Sequence, residues 1–283
     1  MPDTGMPATG SPAPGRRRGS PGWPLVLVLA AGLLGVGEVT GWPADPSALL
    51  AGARPGVFVE VDGRAVEVPR PPPSTGRPMA PVPVTTSGSH AFLHVTEAGL
   101  PVGYDPCRPV TYVVRPDGAP QQGPALLADA VAIVSAATGL AFVATGATDE
   151  PPALDRPIIQ EERYGEGWAP VLVTWSDEEQ VPELAGLVAG VGGSAAVPGA
   201  DGTGTWLAAG RLVLDAPDLA EILAGPGGYE RARAVLVHEL AHVVGLDHVA
   251  DPAELMNPTT SARTDLGQGD LQGLALVGRA ACQ

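Results

Sequence analysis

The chain has 283 residues, 45% of them hydrophobic and 17% charged, so it can bury a sizeable core and is not a disordered chain. Gly 38 and Pro 32 make up about a quarter of the residues, without the Gly-X-Y period of collagen, which sends much of both into tails and loops. Sixteen basic against thirty-one acidic residues leave a formal charge of −15. That balance argues against a nucleic-acid partner, which needs a basic face to neutralise phosphates, and fits an acidic monomer.

Residues 1–22 are rich in Pro, Gly and Ser and carry the basic cluster Arg16, Arg17 and Arg18. Residues 23–42 follow as an apolar run with Glu38 as its one charge. A positive flank before such a run marks a membrane anchor or a signal peptide, with the basic side cytoplasmic. Trp23 and Trp42, 19 residues apart, span roughly 28 Å at helical rise, close to the hydrocarbon thickness. The clean apolar stretch is short, however, and Ala51-Gly52-Ala53 offers a small-residue cleavage pattern. Either reading makes the remainder extracytoplasmic: tethered to the membrane by 23–42, or secreted if that segment is cleaved.

Residues 43–88 form a Pro-rich linker or pro-segment, too rich in proline around Arg70–Pro73 and Pro78–Pro83 to pack. One hairpin interrupts it, Val57–Val61 and Ala65–Val68 about Asp62-Gly63, because Asp-Gly between alternating apolar residues favours a tight turn. From Ser89 to Gln283 the pattern becomes that of an α/β (α+β) domain with a mixed twisted sheet. Strands are expected at Val110–Val114, Leu140–Ala144, Val171–Trp175, Gly190–Val197 (Gly-rich, an edge) and Arg211–Leu214. Helices are expected over Pro124–Thr138, from Gly228 to Val244 with a stop at Gly245, and over Gln268–Ala281. Cys107 and Cys282 are the two cysteines; an even pair in an exported chain favours a disulfide joining the ends of one domain. Trp168 and Trp175 read as core or pocket wall. Asp149-Glu150 and Asp177-Glu178-Glu179 read as solvated loop surface, and His90 and His94 as surface at the start of the domain.

The chemistry lies in His238-Glu239-Leu240-Ala241-His242-Val243-Val244-Gly245-Leu246-Asp247-His248. His238 and His242, at i and i+4, share one helix face, and Glu239 stands beside the first. Gly245 turns the chain so that His248 swings back. Three imidazoles leave a fourth tetrahedral position open, the arrangement of a catalytic Zn2+. A chance occurrence of this spacing is on the order of one in 10⁵, and packing alone has no use for three of the chain's five histidines in eleven residues.

This stretch resembles the metzincin metalloproteases and, within them, the matrixins. Leu255-Met256-Asn257-Pro258 is similar to their Met-turn, which implies for Met256 an apolar floor beneath the ligands. Leu266-Gly267-Gln268-Gly269-Asp270-Leu271 is similar to the start of their C-terminal helix. The resemblance implies an endopeptidase with one catalytic zinc ion, held by His238, His242 and His248, and a zinc-activated water with Glu239 as general base. It also implies an extended peptide or protein substrate on an edge strand, here Gly193, Ser194 and Ala195, with the 257–266 loop lining the pocket past the scissile bond. The chain departs from matrixins in Val249 after the third histidine, in lacking a Pro-Arg-Cys-Gly-type cysteine switch, and in lacking the His/Asp cluster for structural ions, as in a compact bacterial-style relative. The alternatives are a non-catalytic zinc scaffold and a non-peptidase zinc amidohydrolase.

Overall fold

The computed structural model describes residues 56–259 and 263–283. The segments read as 1–22 and 23–42, and the cleavage pattern at 51–53, lie outside the described residues. Among the described residues no helix is long and apolar enough to cross a membrane.

The expected hairpin forms as β1 (Phe58–Val61) and β2 (Arg64–Glu67), with Asp62 and Gly63 at φ 51° and 74°, the left-handed pair that a two-residue hairpin turn requires. A two-residue strand, β3 (Ala91–Phe92), precedes the main sheet. That sheet is built from β4 (Val110–Val114), β5 (Phe142–Ala147), β6 (Val171–Ser176), β7 (Gly190–Pro198) and β8 (Thr205–Asp215). Its order is β5-β4-β6-β8-β7, parallel except for β7, which runs antiparallel to β8 at the edge. All six residues of β6 are buried, as a parallel strand covered on both faces must be.

The helices are α1 (Gly123–Thr138), the short α2 (Glu161–Tyr164), α3 (Ala216–Ala224), α4 (Gly228–Val243) and α5 (Gln268–Val277). Leu126, Ala130 and Val134 of α1 and Ala232, Leu236 and Leu240 of α4 join Leu212 and Leu214 of β8 in the core. Val181, Leu184 and Val213 form a smaller cluster. Trp175 is buried, in keeping with its reading as core. Helix α5 stops at Val277 rather than Ala281, with Gly278 as its cap, packed so closely that an added Cβ would stand 1.8 Å from the Thr138 carbonyl oxygen. The chain then leaves the helix to form the Cys107–Cys282 disulfide.

The described part of the Pro-rich segment packs, contrary to the expectation that it is too rich in proline to do so. Ser74 Oγ donates to the Cys107 carbonyl at 3.0 Å, and the Gly88 N–H donates to Gln272 Oε1 at 3.0 Å. The Arg77 guanidinium donates to the Gly278 carbonyl and that of Arg108 to the Pro72 carbonyl. An extended proline-rich chain makes no internal hydrogen bonds, so its carbonyls remain available to side chains of the domain. Residues 68–88 are therefore a strap laid over the ends of α1 and α5.

Glu150 is likewise not solvated. Arg156 grips its two oxygens at 2.8 and 2.7 Å, and its remaining N–H groups reach the Pro170 and Gly210 carbonyls at 2.8 and 2.9 Å. Gln160 and the Tyr164 hydroxyl add donors at 2.7 Å each. Burial pushes the Glu150 carboxyl up, but the bonds from Arg156, Gln160 and Tyr164 outweigh it and hold the group below its ordinary 4.5. Replacing Glu150 with Ala strands the Arg156 charge and is expected to cost about 3–5 kcal/mol in urea unfolding, more than the double change Glu150→Ala/Arg156→Met. With its folded pKa depressed, Glu150 contributes its stability in full above the unfolded value near 4.5 and loses it as pH falls through the folded value. The parent's urea midpoint should therefore drop more steeply below that pH than the double variant's.

Candidate metal centre and cleft

Helix α4 presents His238 and His242 one turn apart, and its end is set by Gly245. At φ +115°, with the Val102 carbonyl oxygen 2.9 Å from where a Cβ would stand, that position admits only glycine comfortably. The Gly245 N–H is shared between the Ala241 and His242 carbonyls. The chain then reverses into β9 (Leu246–Asp247), which pairs with β3. This reversal returns His248 to the helix face.

The three Nε2 atoms of His238, His242 and His248 lie 3.1 Å from one another. His238 Nδ1 donates to the Leu255 carbonyl and His242 Nδ1 to the Leu246 carbonyl, each at 2.8 Å, so both Nε2 atoms carry lone pairs rather than protons. Burial first, and for His242 also the neighbouring His238, lowers the imidazole pKa values, that of His242 to about 4. Converging lone pairs cannot bond to each other. They fit a cation: ligands at 2.0–2.1 Å in a tetrahedral set stand about 3.3 Å apart, near the spacing found.

Glu239 is 9% exposed. Burial pushes its carboxyl up to about 7, opposed by a hydrogen bond from the Gly192 backbone. Helix and edge strand touch closely here: a Cβ on Gly192 would lie 2.0 Å from the Glu239 carbonyl oxygen. That contact explains Gly192, and Gly190 has the same reason, since a Cβ there would stand 2.9 Å from Glu239 Cγ. An open cavity of about 320 Å³ lies beside the site, bounded by Leu187–Gly190, by His238, Glu239 and His248, and by Asn257–Thr259 with Arg263.

The expected 257–266 loop thus reaches the cavity. Gly193, Ser194 and Ala195 do not. Ser194 is turned inward, its hydroxyl donating to the Val243 carbonyl at 2.7 Å and bonded to the Tyr104 hydroxyl at 2.7 Å, because the register of β7 against β8 slips between Gly193 and Ala195. The cleft wall is instead Leu187–Gly190, at the start of the strand. Met256 is 1% exposed, and its carbonyl accepts the Val249 N–H at 3.0 Å. His90 and His94 flank β3 rather than a helix, and His90 Nδ1 bonds the Gly88 carbonyl at 3.0 Å.

Two buried carboxylates brace the Met256 turn, and sequence reasoning missed both. Asp270 accepts the backbone N–H groups of Leu255, Met256 and Gly267 at 2.5, 3.2 and 2.7 Å. Glu254 accepts those of Gly269 and Asp270 at 2.9 and 3.0 Å, satisfying the first turn of α5. The sequence signal was an acidic residue in the first turn of a helix opposite a second one beside the Met-turn. Through Leu255, this brace fixes the carbonyl that orients His238.

Residues 194–277 match the family model described as matrixin, a peptidase family; the class this segment defines is the zinc metallopeptidases. Within that class the resemblance drawn from the motif is borne out over those residues, which are under a third of the chain. No curated protein matches the chain in sequence. Among solved structures, archaemetzincin from Methanopyrus kandleri is similar at 16% identity over 58% of this chain and 92% of its own, with a TM-score of 0.35, too distant a likeness to add to the fold described above.

Replacing Asp270 with Ala leaves three buried N–H groups without their acceptor. The expected cost is about 3 kcal/mol or more in unfolding, together with a ~10- to 100-fold weaker zinc affinity in competition with a chelating dye.

Proposed function

We propose that the protein is an exported zinc-dependent endopeptidase with one catalytic ion, in which Glu239 is the general base. The observation that carries this reading is the convergence of three imidazole Nε2 atoms at 3.1 Å beside a buried carboxyl in one open cavity. His238, His242 and His248 would hold the ion. When bound, the ion supplies Lewis acidity toward a peptide carbonyl and a water. Glu239 takes the proton from the attacking water and returns it to the leaving amine; a carboxyl raised to about 7 by burial is suited to both transfers.

The free edge of β7 supports an extended peptide as substrate, since an unpaired strand edge offers backbone hydrogen bonds that require no particular side chains. The basic flank and apolar run of residues 1–42 and the Cys107–Cys282 disulfide support export, as disulfides persist in oxidising compartments. Residues 23–42 then tether the enzyme or are removed. Among the described residues, none from 56 to 89 lines the cavity, which favours a structural strap over an occluding pro-segment.

The test is cleavage of unfolded casein by the full chain beside its Glu239→Ala variant, with zinc content measured in both. The parent is expected to cleave, and the variant to lose about 10²- to 10⁴-fold in rate with zinc retained. Dialysis against a chelator is expected to abolish cleavage, and added zinc to restore it. Zinc bound without cleavage by the parent would favour a scaffold, and an absence of bound zinc would remove the site.

A further inference from the structure

The cavity extends well beyond Glu239. Arg231, Ala234, Val235 and His238 are spaced three and four apart and share one face of α4, and all four line it. Arg231 precedes His238 by seven residues, about 10 Å along the helix axis. Between them the wall is made of short or apolar side chains, with Ile222 and Leu255 opposite. One open cavity is therefore lined both by the histidines and by Arg231, an exposed residue at its rim, with Arg263 as a second cation in the lining.

Charge is distributed unusually here. The chain carries 31 acidic and 16 basic residues, yet among the described residues that line the cavity Glu239 is the single carboxylate. Arg231 Nη2 donates to the Ile222 carbonyl at 3.3 Å, and among the described residues no carboxylate pairs with it. Arg233, two residues on and outside the cavity, does have such a partner, Asp265 at 3.1 Å. Arg231 is exposed, so it attracts a carboxylate as a charge at the rim of the cavity, and salt weakens that attraction.

Resting on the peptidase reading above, we propose that this cavity takes a long acidic side chain, glutamate before aspartate, from a residue next to the scissile bond. Arg231 is the specificity-determining residue. Length matters because Arg231 stands about two helical turns from His238 along α4, and glutamate extends its carboxylate one methylene further than aspartate.

The experiment digests a mixed peptide library with the full chain and maps every cut by mass spectrometry. Glutamate is expected to be enriched at one fixed position beside the cut, over glutamine, leucine and aspartate. In Arg231→Gln the ratio of kcat/KM for a glutamate peptide to that for its glutamine twin should fall roughly five- to tenfold; in Arg231→Glu the enriched residue should become lysine. A second readout uses no turnover. The Glu239→Gln protein should bind a labelled glutamate peptide more tightly than the glutamine twin by a similar factor, with the advantage shrinking in high salt. Cleavage with an apolar residue at both flanking positions, or a glutamate preference that survives in Arg231→Gln, overturns this inference and leaves the peptidase reading standing. Neither cleavage nor binding of any peptide overturns both.

Discussion

Three imidazole nitrogens aimed at one point repel one another unless a cation lies among them, and much of this domain serves to hold them there. Helix α4 supplies two of the rings by spacing alone. The third depends on a reversal that one glycine permits. Two backbone carbonyls, of Leu246 and Leu255, then fix which nitrogen of His242 and His238 faces inward. The second of these carbonyls belongs to a turn whose own N–H groups are held by Asp270, and the helix carrying Asp270 is held at its start by Glu254. Orientation of the first histidine is thereby relayed from a helix thirty residues further along the chain.

A second constraint comes from the approach of α4 to the edge strand. The two run so close that Gly192 has no room for a side chain against the Glu239 backbone. The same closeness removes the Glu239 carboxyl from water and raises its pKa. One close approach thus accounts for Gly190 and Gly192 and for the protonation behaviour of the carboxyl beside the histidines.

These local relations explain what the sequence made legible. The histidine pair, Glu239 and Gly245 are read from helical period and from the conformational freedom of glycine, both properties of contiguous residues. The hairpin at Asp62-Gly63 and the buried run of β6 are legible for the same reason. The inward turn of Ser194 was not, because it follows from a slipped register against β8 and from partners at Tyr104 and Val243 far along the chain. Glu150 looked like part of an acidic loop because the groups that bury it, Arg156 with the Pro170 and Gly210 carbonyls, meet only in three dimensions. Composition misled in the strap, where prolines that prevent regular structure still leave carbonyls for arginines to bind.

The strap also governs the order of assembly. It joins residues far apart in the sequence: its Arg77 bonds the Gly278 carbonyl across 201 positions, and beside it the disulfide links Cys107 to Cys282 across 175. Contacts of such separation are slow to form, since loop closure comes before any of their stabilisation. A chain emerging from its amino end cannot complete this domain until α5 has followed, and the three histidines with their Asp270 brace all lie in that last stretch. If the chain is exported in extended form, as proposed above, the three histidines would come together only after passage through the membrane.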